Sequence, residues 1–253
     1  MIGIFEQQLN EIPVLHVVET TKEKESLPTV VYFHGFTSAK EHNLPIAYLL
    51  ADKGYRVILP DSQYHGVREM EVSKEKKQVS FWNIVMNNVN ELERIKKELD
   101  EKELILNDRF GIAGTSMGGI TTSAALATYP WIKTAAILMG SPKITTYAKT
   151  LVDSFRKAGN LPVTEEMIEE LYEKLQQYDL SLQPEKLDNR PLLFWHGEND
   201  AVVPFDHSYT FYEDIARLYQ NKEHIHFVKE SYQDHKVSRH AIQETVHWFQ
   251  KHL

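Results

Sequence analysis

The chain has 253 residues, 42% of them hydrophobic, and no cysteine. That is enough apolar material for a core of its own, with none of the thiols that disulfides, thiolate metal sites or a cysteine nucleophile require. Its 28 lysines and arginines against 36 aspartates and glutamates leave a net charge of −8, which repels nucleic acid and anionic membranes and excludes both as expected partners.

Met1 to Pro13 carries Glu6 and Glu11 and lacks the basic and then apolar segments of a leader. No apolar run approaches the ~18 residues of a membrane span, so a soluble cytoplasmic protein is expected. Next come short β-branched or aromatic runs, each predicting a strand: Val14 to Val18, Thr29 to Phe33, Tyr55 to Leu59, Arg109 to Ala113, Thr134 to Met139, Leu192 to Trp195 and Ile225 to Val228. Between them lie predicted helices. Leu44 to Lys53 ends at Gly54, and the charge run Glu71 to Lys77 predicts a solvated loop. From Phe81 to Leu99, apolar residues recur every three or four positions, one stripe of a helix. Gly118 to Tyr129 stops at Pro130, Pro204 to Gln220 follows the sixth strand, and Arg239 opens a C-terminal helix.

Nearly all-apolar strands separated by helices imply a mostly parallel sheet covered on both faces, a doubly wound α/β fold. One domain over residues 1 to 253 is expected. Two helices in succession, Ile144 to Ala158 and Thr164 to Tyr178, interrupt the alternation. They predict a cap inserted at about Pro142 to Leu187, the alternative being an ordinary crossover lengthened by one helix.

Gly114-Thr115-Ser116-Met117-Gly118 fits G-x-S-x-G between a predicted strand and a predicted helix. There the glycines permit a sharp turn that lifts a serine hydroxyl above the sheet. A serine attacks only when a base takes its proton. His235 alone of the 12 histidines falls between the final strand and the final helix. The acid comes from the loop after Leu192 to Trp195, with Asp200 the first candidate and Glu198 the alternative. Backbone donors for an oxyanion are expected from Met117, after the serine, and from Phe36 in His34-Gly35-Phe36. The His34 side chain is expected to hydrogen-bond within that loop. His65, at the end of another strand, is a candidate to line the substrate pocket. Tyr147 and Leu151 on the first cap helix either roof an acyl pocket or pack on the body. H-E-x-x-H, a Walker loop and a dinucleotide-binding glycine motif are absent, so neither metal nor cofactor is expected.

Gly114 to Gly119, His34-Gly35-Phe36, Asp200 and His235 together resemble the α/β-hydrolase superfamily, and the flanking segments resemble its dienelactone-hydrolase and prolyl-oligopeptidase-like branch. Phe33 to Leu44, Leu180 to Leu187, Arg190 to Gly197 and Asp234 to Val237 are similar to the YitV-type esterases of bacteria. The likeness extends over nearly the whole chain. It implies Ser116 as nucleophile, His235 as base, Asp200 as its partner and the Phe36 and Met117 amides as the oxyanion hole. The expected activity is serine carboxylesterase action on small to medium acyl esters through an acyl-enzyme. Thioester or small-amide hydrolysis by the same residues, or a silent ligand-binding protein, are the alternatives.

Overall fold

The computed structural model describes residues 1–69, 72–159 and 163–253. Its first element, β1 (Ile2–Leu9), was not predicted from sequence; it pairs antiparallel with β2 (Ile12–Glu19) through a tight turn at Asn10 and Glu11, both at positive φ. β3 (Leu27–Phe33), α1 (Leu44–Asp52) and β4 (Arg56–Pro60) follow. The charge run is not wholly a loop: Lys74–Val79 forms α2, with the Ser73 hydroxyl accepting from the Lys76 N–H, whereas Glu71 lies outside the described residues. Lysine, glutamate and glutamine are good helix formers, and a serine N-cap supplies the start signal.

Beyond it come α3 (Phe81–Glu101), β5 (Ile105–Thr115), α4 (Met117–Thr128) and β6 (Thr134–Leu138). The inserted helices are α5 (Ile144–Lys157) and α6 (Glu165–Gln176). The chain closes with β7 (Leu192–Gly197), α7 (Phe205–Ala216), β8 (Ile225–Glu230) and α8 (Arg239–His252). Among the described residues no helix is long and apolar enough to cross a membrane.

The strands form one sheet in the order β1-β2-β4-β3-β5-β6-β7-β8. β1 and β2 join antiparallel, and from β4 onward every pairing is parallel. After β3 the chain goes to β4 on one side, then returns to lay β5 on the other. That reversal opens a crevice at the C-terminal ends of β3 and β5, where open α/β sheets bind ligands.

Alternation along the strands feeds two cores. On β3, Val31 and Phe33 join the core under α3, α4, α5 and α7, while Val30 and Tyr32 join the one under α1 and α8. The α3 stripe of Ile84, Val85, Val89, Leu92, Ile95 and Leu99 is buried as its spacing predicts. Replacing Leu92 with Ala is expected to lower unfolding free energy by about 2–5 kcal/mol in urea titration. The same change at exposed Glu93 is expected to stay within about 0.5 kcal/mol.

Candidate active site

At the end of β5 the chain turns so sharply into α4 that two positions of the turn, Gly114 and Gly118, admit no side chain. A Cβ on Gly114 would strike the Gly118 backbone, and one on Gly118 would strike the Phe33 carbonyl. Between them Ser116 adopts φ 55° and ψ −113°, a conformation rarely held by a non-glycine residue. The turn is fixed by the Ser116 N–H donating to the Leu138 carbonyl at 2.9 Å and the Ile120 N–H donating to the Ser116 carbonyl at 2.9 Å.

The Ser116 hydroxyl meets His235 Nε2 at 2.8 Å, and His235 Nδ1 meets Asp200 Oδ2 at 2.7 Å. These three residues, far apart in the chain, therefore form one hydrogen-bonded line. Glu198 turns elsewhere, 3.4 Å from Lys229 Nζ. Asp200 Oδ1 accepts the N–H groups of Val202 and Val203 at 2.8 and 2.9 Å, and Oδ2 lies 3.0 Å from His196 Nε2. Burial pushes the Asp200 carboxyl up, but the hydrogen bonds from His196, His235 and Val202 outweigh it and hold the group well below the usual carboxylate range. Asp200 is thus a fixed anion facing His235. Nothing in the sequence spacing around His196 marks its contact with Asp200.

The loop after β3 lies against the turn: a Cβ on Gly35 would sit 3.6 Å from Ser116 Cβ. Among the described residues neither the Phe36 N–H nor the Met117 N–H has a protein acceptor. His34 does bond within the loop, from Nδ1 to the Gly35 carbonyl at 2.8 Å, while its Nε2 accepts the Ser62 N–H at 3.0 Å. His65 is arranged likewise. Its Nδ1 donates to the Gln63 carbonyl at 2.8 Å and its Nε2 accepts the Thr37 N–H at 3.1 Å. The structure therefore places His65 behind the loop, buried, rather than in the cleft.

Beneath both imidazoles sits Asp61, fully buried, accepting Lys40 Nζ at 2.6 Å and the Lys40 and Val67 N–H groups at 3.0 Å. Burial opposes the Lys40 charge, but hydrogen bonds to Asp61 and Glu41 override it and raise its pKa.

The cleft around Ser116 measures about 360 Å³ and is lined by Ser38, His42, Asn43, Lys236 and Val237 as well as Ser116 and His235. Leu151 borders a different cavity, of about 220 Å³, between α3 and the inserted helices, with Phe81, Trp82, Phe155 and Leu171. Tyr147 lines neither cavity. It is buried, packs edge-on against Trp82 and His207, and donates its hydroxyl to the Val202 carbonyl at 3.1 Å. Burial, then the Asp200 charge, pushes its phenol up to about 12.

Two buried imidazoles carry a pH consequence. Burial lowers His65 to about 4, and burial together with the Arg56 charge lowers His16 to about 3. In the unfolded chain both regain the ordinary value of ~6.5. As pH falls below that value the unfolded state takes up protons that the folded state refuses, so stability is full above it and declines toward pH 4. The urea midpoint is expected to fall across this window, and His65→Asn to reduce the slope by up to about one proton. A midpoint flat from neutrality to pH 4.5 would contradict this.

Similarity to known proteins agrees with this geometry. The sequence profile of the Prolyl oligopeptidase family matches residues 45–253. "Putative esterase YitV" of Bacillus subtilis (strain 168) is 45% identical over 255 residues, and "Esterase YjfP" of Escherichia coli (strain K12) is 30% identical over 259, each alignment covering 100% of both chains. Among solved structures, TT1662 from Thermus thermophilus superposes with a TM-score of 0.78 at 17% identity, over 99% of this chain and 98% of that one. With the α/β-hydrolase fold, a family match over most of its length and two esterase-named relatives aligned end to end, the chain belongs to the prolyl oligopeptidase family and is a serine hydrolase.

Proposed function

We propose that the chain is a carboxylesterase acting on small to medium acyl esters, with Ser116 as nucleophile, His235 as general base and Asp200 as its partner. The observation that carries this reading is the unbroken line from Asp200 Oδ2 through His235 to the Ser116 hydroxyl, at 2.7 and 2.8 Å. Ser116 Oγ attacks the ester carbonyl carbon while its proton passes to His235 Nε2. The carbonyl oxygen, now anionic, receives the unpartnered N–H groups of Phe36 and Met117, each such donor contributing roughly 3 kcal/mol. As the intermediate collapses, the alcohol oxygen leaves with the proton from His235 and the acyl group stays on Ser116. Water then adds to the acyl carbon, giving its proton to His235, and the acid departs as Ser116 recovers its hydrogen.

Asp200 keeps Nδ1 as the protonated nitrogen throughout, so Nε2 is always the one that faces serine. In this reading residues 142–187 form a cap, and Leu151 on α5 borders the apolar space available to an acyl chain. The enzyme would work in the cytoplasm without a cofactor.

Ser116→Ala is expected to abolish hydrolysis of a p-nitrophenyl ester panel with melting temperature unchanged, since it removes one hydroxyl and no core packing. More than a few per cent of wild-type kcat would make the serine idle. Asp200→Asn is expected to cost about 10⁴ in kcat, the size of the tautomer effect in a comparable triad. Glu198→Gln is expected to cost little. A panel that includes acyl-CoA thioesters and aminoacyl anilides tests the ester assignment, which fails if either class is turned over faster than every oxygen ester. Leu151→Ala is expected to shift kcat/KM toward longer chains by about 1–3 kcal/mol per methylene accommodated. A uniform loss across chain lengths would show Leu151 to be packing alone.

A further inference from the structure

One buried imidazole beside the proposed triad has no task in the reaction just described. His196, in β7, is completely enclosed. Its Nε2 lies 3.0 Å from Asp200 Oδ2 and 3.1 Å from the Val203 carbonyl oxygen. An ionised carboxylate and a carbonyl can only accept, so Nε2 carries a hydrogen and donates it. Its Nδ1 faces the Ser208 hydroxyl at 3.3 Å, and Ser208 in turn donates to the Gly140 carbonyl. Phe205 closes the space edge-on at 5.7 Å. The ring's direction is set by its two Nε2 contacts and by this enclosure.

We propose that His196 is a positioning residue for hydrolysis, its Nε2–H fixing the Asp200 carboxylate so that Oδ2 faces His235 and limiting how strongly that oxygen holds the His235 imidazolium. The proposal rests on the triad assignment above. Its physical basis is the division of labour at Asp200. Oδ1 is pinned by two backbone N–H groups, whereas Oδ2 receives side-chain donors only, from His196 and His235. If the His196 donor were removed, Oδ2 would be left with one partner in a buried site and its charge would fall wholly on His235. An imidazolium that is held more strongly releases its proton at higher pH and passes it less readily to the leaving oxygen.

The other charged and titratable groups nearby do not substitute for this donor. Tyr147 on α5 feels the Asp200 charge but gives its hydroxyl to Val202. His207 on α7, influenced by Lys143, Asp206, His196 and Asp179, bonds through Nδ1 to the Ser141 hydroxyl at 3.0 Å. Asp234 and Lys236 flank His235 on its own loop and are exposed.

Two variants separate positioning from packing. His196→Phe keeps a ring in the space and loses the donor, while His196→Gln keeps an N–H of similar reach. The Phe variant is expected to lose at least about tenfold in kcat with KM little changed. Its acid limb of kcat/KM is expected to move up by about half a pH unit. The Gln variant is expected to return both toward wild type. An unchanged kcat and pH profile in the Phe variant overturns the proposal. So does a fall in kcat that leaves the limb in place and is not restored by Gln.

Should the Phe variant not fold, the imidazole N–H resonances of otherwise unaltered enzyme decide the matter by NMR. Asp200→Asn is expected to move the His196 Nε2–H signal as well as that of His235 Nδ1–H, and a His196 signal that stays put overturns the contact. Fluorophosphonate labelling of wild-type Ser116 keeps the two levels apart. No labelling overturns the triad, and this proposal with it. Labelling together with an unchanged Phe variant overturns this proposal alone.

Discussion

The contact on which the site depends is made by bare backbone. Gly114 and Gly118 touch each other across the turn, and Gly118 touches the carbonyl of Phe33 on the neighbouring strand. A methyl group at either glycine would force β5, α4 and β3 apart. Because they stay together, Ser116 is held in its left-handed conformation, and the loop after β3 comes within van der Waals reach of the serine Cβ. The proposed nucleophile and oxyanion donors thus share one origin, the close approach that follows from the strand-order reversal between β3 and β5. Backbone strain of about 1–3 kcal/mol at such a residue persists only where its surroundings over-determine it. Here the Leu138 carbonyl and the first turn of α4 do so.

The loop facing the serine gains its rigidity from behind. His34 and His65 each accept a backbone N–H on one nitrogen and donate to a carbonyl with the other, which fixes both as neutral rings. Asp61 ties Lys40 to Val67, and its carbonyl receives Arg68, which grips Glu91 of α3 through two bonds of 2.8 Å. A buried ion pair adds little net stability, since desolvation offsets most of the attraction, but breaking one side of it is costly. Its contribution here is geometric. It binds the ends of β3 and β4 to α3, so that the Phe36 amide is set before any substrate arrives.

Much of this was legible in the chain, and what was not has identifiable causes. β2 to β8 declare themselves in short β-branched or aromatic runs, most plainly β3, β4, β6 and β7, which are buried along their whole length. β1 does not, since it is an edge strand with one face in water, where Ile4 is half exposed among glutamate and glutamine. α2 has no apolar stripe to betray it, only a capping serine. Ser116 and His235 could be singled out because motif and loop position constrain them independently. Asp200 stands first in the sequence reading, but Glu198 stays open as its alternative, because two acids in one loop differ only in direction. His65 is expected at the pocket from its place at a strand end, but its bonds to the Thr37 N–H and the Gln63 carbonyl hold it behind the loop. His196 left no trace either. Its meaning depends on the turn after Gly197, where a side chain would collide with the Gln233 carbonyl, and no periodicity records such a turn.

The cleft at the serine and the cavity under the inserted helices differ in chemistry, and in the proposed mechanism the direction of proton transfer distinguishes them. The apolar cavity lies on the face of α3 and the inserted helices, and the cleft with Ser38, His42, Asn43 and Lys236 opens by α1 and α8. In the proposed mechanism His235 must hand its proton to the leaving oxygen, so the alcohol has to depart on the side where His235 stands. His235, Lys236 and Val237 all line the polar cleft. On that proposal the alcohol half of the ester would occupy that cleft, among groups that can hydrogen-bond hydroxyls or meet negative charge, and the cavity under the inserted helices would be the space for the acyl half. Selectivity for the two halves would then reside in different elements. The alcohol would be read by the loops after β3 and β8, which also carry the proposed catalytic groups and so tolerate little change, and the acyl chain by α5 and α6, which carry none of them.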